Sequence, residues 1–168
     1  MDGTIECSMD STGGGDTLTV AAGSPPAPSR SRGTIVIAED DVATRMLLCR
    51  ILTRASFIVH AFENGELACE AIRLRHPDVV LLDWMMPVMD GHRAVVVLKA
   101  DAATRAIPIV MLTTHSCIED RMAALEAGVQ DFLTKPFDAR ELVACIDQQV
   151  SRLAPVRAAV TVPANGSD

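Results

Sequence analysis

The sequence predicts an α/β fold in which a mainly parallel, five-stranded sheet is covered on both faces by five helices. Three observations predict it. Short apolar runs alternate five times with stretches of helical periodicity between residues 34 and 153. Three of those runs are apolar without interruption, as strands buried on both faces must be. Capping and turn residues separate the segments at the expected places. Crossovers in such a sheet are right-handed, and the functional crevice lies beyond the carboxyl ends of the strands.

Taken in order, Thr34-Ile35-Val36-Ile37-Ala38 is the first buried strand. Val42 to Ala55 follows as a helix, with Leu47, Leu48, Ile51 and Leu52 expected on its inner face. Phe57 to Ala61 is the second strand. Asn64 caps a helix through Arg75, with Leu67, Ala68, Ala71 and Ile72 facing inward, and His76-Pro77 ends it. Val79-Val80-Leu81-Leu82 is the third strand, and Gly91 to Ala100 a short third helix. Pro108 precedes the fourth strand, Ile109 to Leu112. Ser116-x-x-Glu119 is a capping box for the fourth helix, which Gly128 closes. Phe132-Leu133 is a short fifth strand. Asp138-x-x-Glu141 opens the last helix, with Leu142, Ile146 and Val150 at i, i+4 and i+8.

This domain fills most of a 168-residue chain. Residues 1–33 hold six of the ten glycines and a Pro-rich run, Ser24 to Ser29, and are expected to be a disordered leader. Residues 154–168, with Pro155, Pro163 and Asn165-Gly166, are expected to be a disordered tail. No room remains for a folded output domain, so the domain is expected to stand alone. The net charge of −7 argues against sequence-independent nucleic-acid binding, which needs a basic patch. No apolar run exceeds the five residues of Ala94 to Leu98, far too short to span a membrane, and no secretory signal is visible. Five dispersed cysteines (Cys7, Cys49, Cys69, Cys117, Cys145) without a C-x-x-C fit small buried hydrophobes in a reducing cytoplasm.

The carboxyl ends of the strands carry the chemistry. The first strand runs into Glu39-Asp40-Asp41, the third into Asp83, the fourth into Thr113-Thr114, and the fifth is followed by Lys135-Pro136. Helix capping accounts for Asp41 but not for Asp83. Converging carboxylates repel one another and raise each other's pKa, and a hard divalent cation relieves the conflict. A few carboxylates with room for retained waters describe a Mg²⁺ site. The sequence has neither G-x-G-x-x-G nor G-x-x-x-x-G-K-[ST], and Met85 replaces the second acid of a D-x-D-x-[ST] phosphatase. The parts fit phosphoryl transfer instead. Asp83 can be a carboxylate nucleophile. Lys135, one of only two lysines, can neutralise phosphoryl oxygens, and Thr113 can donate to one.

Residues 34–153 resemble the receiver domain of bacterial two-component response regulators, the CheY-like family. The resemblance rests on Ile37-Ala38-Glu39-Asp40-Asp41, Leu82-Asp83-Trp84-Met85-Met86-Pro87-Val88-Met89-Asp90-Gly91, Leu112-Thr113 and Thr134-Lys135-Pro136-Phe137, in the expected order and spacing. The second motif, D-x-x-M-P-x-M-D-G, is highly specific. The resemblance implies a flavodoxin-like sheet of strand order 2-1-3-4-5. It implies Asp83 as phospho-acceptor, Asp40 as direct Mg²⁺ ligand with Glu39 as its partner through water, and Met85 as a ligand through its backbone carbonyl. It further implies Thr113 as the switch hydroxyl, Phe132 as the switch aromatic where many members have Tyr, Lys135 as the active-site lysine, and a cis Lys135-Pro136 peptide. The resemblance also implies that Met85 and His115 flank the path of a hydrolytic water, where Met85 can shield an acyl phosphate; His115 is expected to be a solvated loop residue, the alternative being that it positions that water.

The expected function is a phosphorylation-dependent signalling switch rather than an enzyme. A histidine kinase or phosphotransfer protein supplies the phosphoryl group, and the face made by the fourth helix, fifth strand and fifth helix then selects a downstream protein. The charged residues of the first and last helices, those near Arg45 included, are expected on solvated faces where a kinase phosphotransfer domain can touch. The chain is expected to be a cytoplasmic monomer or a weak phosphorylation-dependent dimer, with no direct nucleic-acid or membrane partner. Two alternatives are a constitutive interaction module that keeps the fold without the chemistry, and a receiver segment of a larger hybrid kinase or nucleotide cyclase.

Overall fold

A computed structural model describes residues 5–6, 31–114 and 118–160, with side chains placed over 31–114 and 121–152. The strands are β1 (Ile5–Glu6), β2 (Thr34–Ala38), β3 (Ile58–Phe62), β4 (Val79–Asp83), β5 (Ile109–Thr113) and β6 (Asp131–Thr134). The helices are α1 (Val42–Arg54), α2 (Gly65–Arg75), α3 (Gly91–Ala100), α4 (Ile118–Glu126) and α5 (Ala139–Val160). The sheet order is β1-β3-β2-β4-β5-β6. From β3 to β6 every pairing is parallel, so the five expected strands take the order 2-1-3-4-5 with five helices around them.

The central strands are buried along their length: all five residues of β4 and of β5 lie inside. Alternation of side chains across the sheet sorts them into two cores. Val36, Ala38, Val80, Leu82 and Met111 meet α2 and α3 on one face. Ile35, Ile37, Leu81, Val110 and Leu112 meet α1 and α5 on the other. Leu142 and Ile146 are fully buried on that second side, as their spacing predicts.

Helix starts follow the capping signals. Asp41, Asn64 and Asp90 accept from the amides of Thr44, Leu67 and Arg93 at 2.8, 3.0 and 2.7 Å. The expected capping box at Ser116 lies outside the described residues. Gly91 is required by a close approach: a Cβ there would lie 2.2 Å from the Asp83 carbonyl oxygen, so only glycine lets α3 start against the end of β4.

Four expectations need correction. The second strand is Ile58–Phe62 rather than Phe57 to Ala61, because the Phe57 amide still bonds back to the Leu52 carbonyl and pairing begins at Thr34 and Ile58. On α1, Leu47 is 50% exposed while Arg45 is only 7% exposed, so Arg45 is not on a solvated face. Strand β1 falls inside the expected leader, antiparallel to β3. The open edge of β3 offers backbone donors and acceptors to any extended segment, whatever its side-chain pattern. Helix α5 runs to Val160, past the boundary at 153. Pro155 removes the amide that would reach the Ser151 carbonyl and a proline ring crowds the same turn, a cost that ends many helices but not this one. Among the described residues no helix is long and apolar enough to cross a membrane.

Candidate functional site

Because β2, β4, β5 and β6 all run in one direction, their carboxyl ends share one edge of the sheet. A cleft of about 640 Å³ opens there, lined by Glu39, Asp40, Asp83, Met85, Thr113, Phe132 and Lys135 among others. Every residue that the sequence nominates as acceptor, ligand or switch therefore lies on one cleft. His115 lies outside the described residues.

Glu39 follows β2 and is fully buried, whereas the neighbouring Asp40 is exposed. Asp83 ends β4 and is 7% exposed. One carboxylate oxygen from each of Glu39, Asp40 and Asp83 can be chosen so that all three lie within 4.8 Å of one another. Asp41 is not part of this set, since its carboxylate is spent on the α1 cap. Its hydrogen bonds from Thr44 hold its pKa below the usual range.

Lys135 reaches into the cluster from the end of β6. Its Nζ donates to Glu39 Oε2 at 2.7 Å and lies 3.1 Å from Asp83 Oδ1. The Lys135-Pro136 peptide is cis, as the resemblance implies. Burial raises the pKa of Glu39; the hydrogen bond from Lys135 offsets only part of that rise, and the charge of Asp83 adds to it. Burial likewise raises Asp83 despite Lys135 and the Trp84 amide, which donates to Asp83 Oδ1 at 2.9 Å. Burial alone would lower the ammonium of Lys135, but the hydrogen bond to Glu39 and the charge of Asp83 outweigh it and hold the group above its usual value. Three acids around one lysine leave an excess of negative charge in a poorly solvated cleft.

This donor set fits a hard divalent cation: carboxylate oxygens only, one of them on an exposed residue, in a cleft with room for water. Soft or nitrogen ligands are absent from the set. Thr113 is buried at the end of β5, and the Met85 side chain is 70% exposed, so that residue faces the cleft mouth without filling it.

Two arginines that the sequence reading does not nominate lie beside the site. The Arg121 guanidinium lies over the Phe132 ring, 4.9 Å from its centroid, and lines the same cleft. Arg45 lies behind the acidic loop, its Nη1 donating to the carbonyls of Glu39 and Asp40.

Comparison with known proteins gives the same picture. The family model described as "Response regulator receiver domain" matches residues 35–147. The phosphate regulon transcriptional regulatory protein PhoB of Escherichia coli is 38% identical over 122 residues, covering 73% of this chain and 53% of that protein. The DNA-binding transcriptional regulator NtrC of Escherichia coli is 33% identical over 135 residues, covering 80% of this chain and 28% of that protein. The chain thus spans about half the length of the curated relatives it matches first. Among solved structures, the receiver domain of the sensor histidine kinase PA1611 from Pseudomonas aeruginosa, with a magnesium ion coordinated in its active-site cleft, is 28% identical at a TM-score of 0.67. That match covers 71% of this chain and 98% of that one. The chemotaxis response regulator CheY4 of Vibrio cholerae is 25% identical at a TM-score of 0.66, with 69% and 97% covered.

Proposed function

The chain belongs to the response regulator receiver domain family, and on that premise we propose that it is a phosphorylation-dependent switch whose acceptor is Asp83. The observation that carries the reading is the convergence of Glu39, Asp40 and Asp83 with Lys135 bonded into them at the carboxyl edge of the sheet. In the proposed step an Asp83 carboxylate oxygen attacks the phosphorus of a phosphohistidine on a kinase or phosphotransfer protein. The P–N bond breaks, its electron pair returns to the imidazole, and an acyl phosphate remains on Asp83.

Glu39, Asp40 and Asp83, with the Met85 carbonyl, would hold Mg²⁺, which when bound neutralises charge on the phosphoryl oxygens and on the acids themselves. The PA1611 receiver domain, with magnesium in its cleft, supports this assignment. Lys135 already lies 3.1 Å from the attacking carboxylate and supplies a second, fixed positive charge to the phosphoryl group. The Thr113 hydroxyl, at the end of β5, donates to a phosphoryl oxygen once one is present. Phe132 then turns inward behind it. The surface of α4, β6 and α5 changes with Phe132, and a downstream protein reads that change as altered affinity. This activity belongs in the cytoplasm, where such phosphodonors act.

The test is direct. Incubation with acetyl phosphate and Mg²⁺ adds the mass of one phosphoryl group to the wild type and none to Asp83→Asn. No uptake by the wild type refutes the acceptor assignment. Lys135→Ala separates phosphorylation from its consequence: partner affinity no longer responds to the phosphodonor.

A further inference from the structure

The acidic loop has a cation beneath it that the proposed step does not use. Arg45 lies on the first turn of α1, and at 7% exposure its guanidinium is withdrawn from water. Removing a charge from water costs several kcal/mol unless partners compensate. Yet neither of the hydrogen bonds it donates goes to a carboxylate. Nη1 reaches the Glu39 carbonyl and, at 3.0 Å, the Asp40 carbonyl. Nε is also buried and has no hydrogen-bond partner among the described residues. The side chain thus gives up hydration in order to grip two consecutive main-chain carbonyls.

One of those carbonyls belongs to the peptide that joins Glu39 to Asp40 and the other to the peptide that joins Asp40 to Asp41. We propose that Arg45 is a positioning residue for the metal pocket: by holding both carbonyls it fixes the orientation of these two consecutive peptides, and so keeps the carboxylates of Glu39 and Asp40 directed at the cluster with Asp83. The proposal rests on the reading that these three acids hold Mg²⁺. Groups that orient metal ligands from behind typically contribute about 10- to 100-fold to metal affinity.

Charge and geometry pull in opposite directions here, which makes the test sharp. As a simple charge, Arg45 repels a divalent cation, and its removal would tighten Mg²⁺ binding. As a positioning residue, its removal loosens the loop and weakens binding. Mg²⁺ titration followed by Trp84 fluorescence, on the full chain and without phosphodonor, reads the affinity directly. Arg45→Met is expected to weaken Mg²⁺ binding about tenfold, and Arg45→Lys, which keeps the charge with a poorer grip, to recover part of that loss. Urea unfolding in chelator separates a purely structural role, which lowers stability but leaves the affinity of the folded protein unchanged. Unchanged or tighter Mg²⁺ binding by Arg45→Met overturns the proposal. If the methionine variant does not fold, unchanged affinity in the lysine variant overturns it. A wild type that binds no Mg²⁺ overturns the metal reading and this proposal with it, whereas a wild type that binds and a variant that binds equally overturn this proposal alone.

Discussion

Asp83→Asn is expected to make the protein more stable, although it abolishes the proposed function. The Lys135 ammonium, 3.1 Å from Asp83, attracts the ionised carboxylate by about 5 kcal/mol at an effective dielectric constant of about 20. Burial is the largest influence against ionised Asp83 and outweighs Lys135, and the repulsion of Asp40, with an oxygen within 4.8 Å, adds to it. The asparagine keeps an oxygen for the Trp84 amide, and Lys135 keeps Glu39. Urea unfolding at neutral pH in chelator should therefore give the variant an advantage on the order of 1 kcal/mol. The pH dependence has a definite sign. The Asp83 pKa is raised in the folded state, so its contribution is present below the ordinary value near 3.8 and is lost as pH rises through the folded value. The advantage of Asp83→Asn should accordingly shrink toward zero below pH 3.8. Saturating Mg²⁺ should also close or reverse it, because a ligand at a hundred times its Kd stabilises the wild type by about 2.7 kcal/mol. A variant no more stable than the wild type in chelator at neutral pH refutes the charge argument.

Two further predictions concern regions beside and below the cleft. Val88 has φ of 69° in the loop after Asp83, with the Met89 amide bonded to the Pro87 carbonyl at 2.7 Å, and is 73% exposed. A β-branched residue is strained there, whereas asparagine tolerates that region, so Val88→Asn should raise the unfolding free energy by about 1 kcal/mol; a loss of stability in urea unfolding counts against strain at this turn. Burial raises the Cys69 thiol to about 11 from an ordinary value near 9. The unfolded chain therefore ionises first, and the stability Cys69 contributes is intact below pH 9 and lost as the pH rises to about 11. Between pH 8 and 11 the wild type should lose on the order of 2 kcal/mol more than Cys69→Ala, and parallel losses in the two proteins would refute it.

How much of this was legible in the sequence depends on what each feature needs. The strands could be read because burial on both faces leaves unbroken apolar runs, as in Val79 to Leu82, and parallel topology then places the residue after each run on one edge whatever the loops do. That is why Glu39, Asp83, Thr113 and Lys135 could be grouped although far apart in sequence. Strand β1 has two residues, too few for any period to show. Helix α1 shows a different limit. Its buried residues are Arg45, Leu48, Cys49 and Leu52, at i, i+3, i+4 and i+7, a regular helical stripe. A reading by hydrophobicity substitutes Leu47 for Arg45 and rotates the inner face. The period was present, but one member of the stripe is charged, and what makes its burial tolerable is a pair of carbonyls on the preceding loop. Those acceptors belong to the backbone and so leave no trace in residue types. A charged residue that completes an otherwise apolar stripe, next to a run of acids at a strand end, is the signal that could have found Arg45. The same reasoning does not find Arg121, whose place over Phe132 depends on how α4 meets β6 and on no spacing within either.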